Sequence, residues 1–154
     1  MSDFTQPTYD TEPVAIYNDG GGLVSEYARA AWDYRLKGRK VKIVGQCRSA
    51  CVLALAVPGT CVGPHAVVKA HYAYNQRTGE IDYQTTKAMM DILPTTIQER
   101  LEPNLTRNYN SRTTLYAKDL IALGVPACKS VPTWKPNSVS ADYRPYLPQG
   151  FIRR

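Results

Sequence analysis

A serine lies at the junction between a segment that predicts a buried strand and one that predicts a buried helix. Residues 41–44 carry β-branched side chains at three of four positions, which is typical of a strand covered on both faces. Residues 50–57 are apolar and rich in helix formers, and a Pro-Gly pair follows them. Between the two, a Gly-Gln-x-x-Ser sequence (residues 45–49) places Ser49 in the first helical turn, beside backbone N–H groups that favour negative charge. Ser49 is therefore either a helix cap or a nucleophile.

A second strand-to-helix junction lies upstream. Residues 14–17 predict a short strand that runs into Gly20, Gly21 and Gly22. Consecutive glycines allow a tight turn and expose backbone N–H groups toward a bound oxygen atom. The residues that follow predict a helix. Its apolar face is predicted to contain Leu23, Tyr27, Ala30, Ala31 and Tyr34.

Residues 66–71 predict a third strand, which ends at His71. A glycine turn, a serine and a histidine at the end of a strand supply the parts of an acyl-transfer site: oxyanion donors, nucleophile and general base. Lys69 points to the same face as His71 and is a second candidate for the base. His65 lies in a Gly-Pro-His turn and is predicted to be a surface residue.

These motifs resemble the core of the Clp-type serine peptidases (ClpP), which belong to the ClpP/crotonase superfamily. Residues 18–22 are similar to the family's Asn-Ser-Pro-Gly-Gly turn, and residues 45–49 match its Gly-Gln-x-x-Ser elbow. His71 follows the serine at the family's spacing of a little over twenty residues. The resemblance implies an α/β fold of repeated strand–turn–helix units, truncated at the N-terminus.

The resemblance also implies a serine endopeptidase of bacterial or phage type. Ser49 would attack a peptide carbonyl and His71 would take its proton. Backbone N–H groups of Gly21 or Gly22, and of Ala50, would bind the oxyanion. No metal and no cofactor is implied, and the partners would be a polypeptide substrate, further copies of the chain and an unfoldase that delivers the substrate.

The family's catalytic aspartate is replaced, because Ala127 occupies its position. Asp119 lies at a similar separation from His71, on a predicted helix, and is the candidate third residue; a backbone carbonyl or Asn75 is the alternative. Loss of a triad aspartate costs about 10⁴ in kcat without abolishing catalysis. The departure leaves a non-catalytic structural or scaffold subunit as the second hypothesis and acyl-CoA chemistry as the third.

The predicted organisation is an N-terminal arm (1–13), one ClpP-like domain (14–128) and a proline- and aromatic-rich extension (129–154). A chain of 154 residues is long enough for one hydrophobic core. The arm has no signal-peptide pattern, and no apolar stretch approaches the roughly 18–20 residues of a membrane span. These features predict a soluble, cytoplasmic protein.

The net charge of +6 does not predict nucleic-acid binding, because the basic residues are dispersed. The tightest basic group, residues 35–40, follows a predicted helix, where cations stabilise the helix dipole. Residues 83–101 predict a helix with an apolar face that Pro94 splits. In the Clp-type family a projecting helix at this place joins two rings, so self-association into a homo-oligomer is expected. The alternative is that the helix folds back onto its own domain.

The four cysteines allow two interpretations. Cysteine is among the most buried residue types, so the first interpretation is a set of small core residues. The second is a disulfide such as Cys47–Cys61, which would imply an oxidising compartment. Cys47 and Cys51 flank Ser49 and are rival nucleophiles, but neither occupies the elbow position. The spacing does not predict a zinc site.

Overall fold

A computed structural model describes residues 12–132 of the chain. This part is mixed α/β, with a five-stranded sheet. The strands are β1 (Val14–Asp19), β2 (Val41–Arg48), β3 (Cys61–Val62), β4 (Val67–Lys69) and β5 (Thr114–Tyr116). The α-helices are α1 (Val24–Lys37), α2 (Tyr83–Asp91), α3 (Thr95–Leu101) and α4 (Ala117–Ala122). The predictions for the arm before residue 12 and for the extension after residue 132 lie outside the described residues. None of the helices described is both long and apolar enough to cross a membrane.

Parallel strand pairing brings the two predicted junctions to one edge of the sheet. β1 pairs with β2 so that Asp19 lies opposite Cys47. β2 pairs with β4 so that Arg48 lies opposite Lys69. The carboxyl ends of parallel strands meet at the same edge of a sheet, which is where ligands bind in open α/β folds. The glycine turn after β1, the serine after β2 and the histidine after β4 therefore lie at a common edge.

The core lies between the sheet and the helices that follow its strands. The buried face of α1 matches the prediction except at Leu23, whose side chain is 53% exposed. That prediction was wrong because α1 begins at Val24 and Leu23 is its extended N-cap residue. The buried residues of α1 are Tyr27, Ala30, Ala31 and Tyr34.

The apolar segment after β2 forms a 3₁₀ helix, Ser49–Ala56, called the elbow helix below. Six of its eight side chains are buried. Its C-cap residue is Val57, directly before the Pro-Gly pair that the sequence marks as a helix stop. The buried helix predicted after Ser49 is thus present, with the tighter 3₁₀ winding in place of the α-helical one.

The apolar helix predicted over residues 83–101 is two helices, α2 and α3, separated at Pro94. Proline has no backbone N–H to continue the first helix, and here it is the N-cap residue of the second. The apolar side chains pack into the core of this chain, so the expected projecting helix was wrong. The buried residues are Met89, Met90, Leu93, Ile97 and Leu101. Formation of a homo-oligomer stays a prediction.

All four cysteines form disulfides, Cys47–Cys51 and Cys61–Cys128. Cys47 and Cys51 are buried core residues, as the first interpretation predicted, but they are paired with each other, and the suggested Cys47–Cys61 pair was wrong. Cys61 lies opposite Lys42 in β2, five residues before Cys47, which is roughly 16 Å along a strand. Cys128 instead reaches Cys61 because the residues before it run parallel to β3.

Candidate active site

A cleft of about 740 Å³ lies at the edge of the sheet where β1, β2 and β4 end. The glycine turn (residues 20–22), Ser49 and His71 line it, together with Tyr74, Arg77 and Tyr109. Its volume is in the range of pockets that bind small organic ligands. The fold thus brings the three predicted parts of an acyl-transfer site into one cleft.

Ser49 has an unusual backbone conformation. Its φ angle is 59°, and no other non-glycine residue between 12 and 132 has a positive φ. Such a conformation costs about 1–3 kcal/mol and persists only where the surrounding structure enforces it. The N-cap residue of the elbow helix is the extended Arg48, so Ser49 is the first helical residue. A role as the helix cap therefore does not account for this serine.

Gly21 contacts the serine elbow so closely that no other residue fits. Its φ angle is 89°, and a Cβ atom added to it would lie 2.7 Å from both the Arg48 carbonyl oxygen and the Ser49 Cβ. The Gly21 N–H donates a hydrogen bond to Asp19 Oδ1 at 2.9 Å. The Tyr27 hydroxyl donates to the same oxygen at 2.7 Å. The buried Asp19 carboxylate thus holds the turn in place from below.

The predicted oxyanion donors belong to the glycine turn and to the residue after Ser49. Gly22 lines the cleft, and the Ala50 nitrogen lies 3.0 Å from the position that a Cβ of Gly21 would take. The first N–H groups of a helix lack partners in a preceding turn, and Ala50 is in the first turn of the elbow helix. Of the predicted oxyanion donors, the Gly21 N–H already binds Asp19, which leaves the N–H groups of Gly22 and Ala50 as the candidates.

His71 lies two residues beyond the end of β4, and its ring is held on three sides. Nδ1 is 2.6 Å from the backbone carbonyl oxygen of Tyr72. Because a carbonyl oxygen only accepts, Nδ1 is the donor of this hydrogen bond, and in the neutral ring the lone pair is then on Nε2. The ring centre lies 4.7 Å from that of Tyr109 and 5.8 Å from that of Tyr74. A backbone carbonyl therefore fixes the tautomer, as an aspartate does in a catalytic triad.

Within the described residues, no hydrogen bond joins Ser49 Oγ to the His71 ring, although both line the cleft. In hydrolases without substrate this bond is often long, and it shortens when the substrate binds.

The structure places Asp119 away from the histidine. Its Oδ2 accepts the N–H of Tyr116 at 2.9 Å and so caps α4. Tyr116 lies opposite Val67, the first residue of β4, whereas His71 follows the last residue of that strand. Antiparallel pairing of β5 with β4 thus sends Asp119 to the opposite end of the sheet.

The two other candidate positions for a third residue are also elsewhere. Ala127 pairs with Val62, next to the first half of β2 and far along the strand from Ser49. Asn75 lines the cleft, but its side-chain oxygen accepts the backbone N–H groups of Arg77 and Thr78 at 2.8 and 3.0 Å. The Asn75 side chain therefore closes a local turn. The group that orients His71 is the Tyr72 carbonyl.

Charged side chains of both signs lie near the serine and the histidine, and Asp82 lines the cleft. Arg48 Nη2 donates to Asn18 Oδ1 at 3.0 Å and lies beside the glycine turn, and Arg77 lines the cleft. Lys69, the alternative base, directs its ammonium at the Tyr109 ring, 6.0 Å from the ring centre. Burial raises the pKa of Tyr109, and the nearby Arg48 partly opposes this, so the phenol is neutral at pH 7. Arg48 and Arg77 favour an anion that develops in the cleft, whereas the Asp82 carboxylate opposes one.

Sequence reasoning missed the aromatic residues of the site. Tyr109 is 38 residues from His71 and belongs to no periodic pattern, and no sequence pattern marks Tyr74 as a site residue either. The available signal was a dense group of tyrosines directly after the histidine, at positions 72 and 74.

No protein-family model matches the sequence, and a search of curated proteins finds none that is recognisably similar. Between residues 12 and 132, no group of three histidine, cysteine, aspartate or glutamate side chains is close enough to hold a metal ion.

Proposed function

We propose that this protein is a ClpP-like serine peptidase that hydrolyses peptide bonds through Ser49 and His71. The observation that supports it most is the left-handed backbone of Ser49 at a strand end, in a cleft shared with His71. A strained serine of this kind at a sharp strand-to-helix turn exposes its hydroxyl to a substrate.

In the proposed reaction, Ser49 Oγ attacks the carbonyl carbon of the scissile peptide bond while His71 Nε2 takes the hydroxyl proton. The N–H groups of Gly22 and Ala50 bind the oxyanion of the tetrahedral intermediate. The intermediate collapses as the protonated His71 gives its proton to the leaving amine, which departs and leaves an acyl-enzyme. A water molecule, deprotonated by His71, then hydrolyses this ester and restores Ser49.

A fluorophosphonate probe followed by intact-protein mass spectrometry tests the nucleophile. We expect one adduct on the wild-type protein and none on Ser49→Ala, with a much reduced rate in His71→Ala. Ser25→Ala is the matched control, because Ser25 lines the same cleft in the first turn of α1 and has no assigned role. Labelling that persists in Ser49→Ala, or no labelling of a folded wild-type protein, would contradict the proposal.

The substrate and partners of the proposal are a polypeptide, further copies of the chain and an unfoldase that supplies unfolded chains. The cleft is open at the edge of the sheet and offers aromatic rings and the Arg77 guanidinium to a bound chain. Cleavage of a library of fluorogenic peptides tests the substrate, and sedimentation velocity of the purified protein tests self-association.

The second candidate function is a non-catalytic scaffold subunit. It is favoured by one observation: in the described part of the chain, no carboxylate orients His71, and both Asp119 and Ala127 lie elsewhere in the sheet. A folded protein that assembles but does not react with the probe would make this function the better one.

The disulfides favour an oxidising compartment over the cytoplasm that the sequence predicted. Disulfides persist in secreted and periplasmic proteins and are rare among cytosolic ones. Lysis in acid stops thiol exchange, and alkylation of the denatured protein at neutral pH with a maleimide-polyethylene glycol then tests this. Four modified thiols would indicate the reducing cytoplasm, and no modified thiol would indicate an oxidising compartment.

A further inference from the structure

The Cys47–Cys51 disulfide spans Ser49, with one cysteine two residues before it and the other two residues after it. Cys47 lies in β2, between Asp19 of β1 and Val68 of β4. Cys51 lies in the first turns of the elbow helix, and both cysteines are fully buried. Their Cα atoms are 5.2 Å apart, so the bond fixes the start of the elbow helix relative to the centre of the sheet.

We propose that Cys47 and Cys51 are positioning residues, whose disulfide holds Ser49 in the left-handed conformation needed for its reactivity. This inference rests on the proposed function, in which Ser49 is the nucleophile. A serine with a φ angle of 59° is maintained only by surroundings that exclude the ordinary conformations. A short covalent loop of five residues centred on Ser49 is such a restraint.

Without the disulfide, the Ser49 hydroxyl would move relative to His71 and to the N–H groups of Gly22 and Ala50. The serine elbow touches the glycine turn, and the Ala50 N–H follows Ser49 directly in the chain. A change in the φ angle of Ser49 therefore shifts its side chain relative to both oxyanion donors and to His71. A misplacement of about 1 Å in such a site costs roughly 10² in rate.

The second disulfide provides a control within the same protein. Cys61–Cys128 ties the segment after α4 to β3, which pairs with β2 only at Lys42 and Ile43. That end of β2 lies opposite the end that carries Ser49. Removal of the Cys61–Cys128 bond frees the segment after α4 from β3 and leaves the Cys47–Cys51 loop around Ser49 intact.

The experiment compares two double variants, Cys47→Ala/Cys51→Ala and Cys61→Ala/Cys128→Ala, with the wild-type protein. The rate constant of acylation by a fluorophosphonate is measured by intact mass, at a temperature where circular dichroism shows all three proteins folded. We expect a rate about 10²-fold lower in the first variant and a rate near that of the wild type in the second. In a crystal structure of the first variant, we expect Ser49 to have a negative φ angle. If the alanine pair does not fold, Cys47→Val/Cys51→Ala, which fills more of the volume, takes its place.

An unchanged acylation rate in the first variant, or equal losses in both variants, would overturn the inference. A positive φ angle that persists at Ser49 without the disulfide would overturn it as well. If the wild-type protein does not react at all, the proposed function fails. The φ angle in the crystal structure then still decides whether the disulfide holds the elbow.

Discussion

At the scale of single residues, Gly21 is the most constrained position of the site. An alanine there would require a φ angle of 89° and would place its Cβ 2.7 Å from two atoms of the elbow. We expect Gly21→Ala to lose about 1–3 kcal/mol of stability and to react more slowly with a fluorophosphonate. Thermal unfolding and intact mass measure the two effects.

Gly38→Ala is the matched control for this prediction. Gly38 has a φ angle of 66°, but an added Cβ would meet no atom within 4 Å. It ends α1 as its C-cap residue, and we expect its substitution to cost stability while the acylation rate of Ser49 stays unchanged. Equal losses of rate in the two variants would mean that strain, and not contact with Ser49, explains the effect.

Tyr109 is predicted to position His71 through its ring. The two ring centres lie 4.7 Å apart, and contacts of this kind contribute about 0.5–1.5 kcal/mol. If Tyr109→Leu loses this energy in the transition state of acylation, its acylation rate is expected to be roughly two- to tenfold lower. Tyr109→Phe keeps the ring and should react like the wild type. A slow phenylalanine variant would instead assign the role to the hydroxyl.

Only part of the site could be predicted from the sequence. Ser49 and His71 were found because each follows a run of β-branched residues, and the chain order of such runs is visible. A backbone carbonyl was among the predicted alternatives for orienting His71, but that of Tyr72 could not be singled out, because every residue has a carbonyl and only the rotation of the ring selects one. The buried hydrogen bond from Tyr27 to Asp19 could not be predicted either, because it depends on where α1 lies relative to the end of β1.

At the scale of helices and strands, periodicity predicted where elements lie but not what they pack against. The apolar side chains of α2 and α3 were recognised, and so was the break at Pro94. The same pattern fits a helix that projects toward another subunit and one that covers its own core. The choice between them depends on where the chain after β4 leads, which local sequence does not specify.

The N-cap of α2 predicts a pH effect on stability. The Thr85 hydroxyl and backbone N–H both donate to the Asp82 carboxylate, and they lower its pKa below the ordinary value of 3.8. A carboxylate with a lowered folded-state pKa stabilises the fold above its unfolded-state pKa, and this stability is lost as the pH falls through the folded-state value. Asparagine also caps helices well, so Asp82→Asn removes mainly the charge.

We therefore expect Asp82→Asn to melt at a lower temperature than the wild type at pH 7. The difference should begin to shrink as the pH falls below the unfolded-state pKa of about 4, and it should vanish only below the lowered folded-state pKa, where the folded wild-type carboxyl is protonated too. Melting temperatures measured by circular dichroism from pH 2 to pH 7 provide the test. A difference that is constant over this range would show that the charge of Asp82 does not contribute to the effect.

At the scale of the whole molecule, the pairing of residues far apart in the sequence was the least predictable feature. Cys61 and Cys128 are 67 residues apart, and they meet only because the chain after α4 returns to run beside β3. The fold class, by contrast, was predictable as α/β, because strand and helix patterns alternate along the first half of the chain.

We expect the Cys61–Cys128 disulfide to stabilise the fold more than Cys47–Cys51 does. Their expected effects on the reactivity of Ser49 are in the opposite order. The chain-entropy model gives about 4 kcal/mol for a separation of 67 residues and about 2 kcal/mol for a separation of 4. Each kcal/mol shifts the melting temperature of a domain of this size by about 2–4 °C. We thus expect Cys61→Ala/Cys128→Ala to melt well below Cys47→Ala/Cys51→Ala in calorimetry, yet to react faster with the fluorophosphonate. If the variant that melts lower also reacts more slowly, a single loss of global stability explains both measurements, and the short disulfide has no separate role at the elbow.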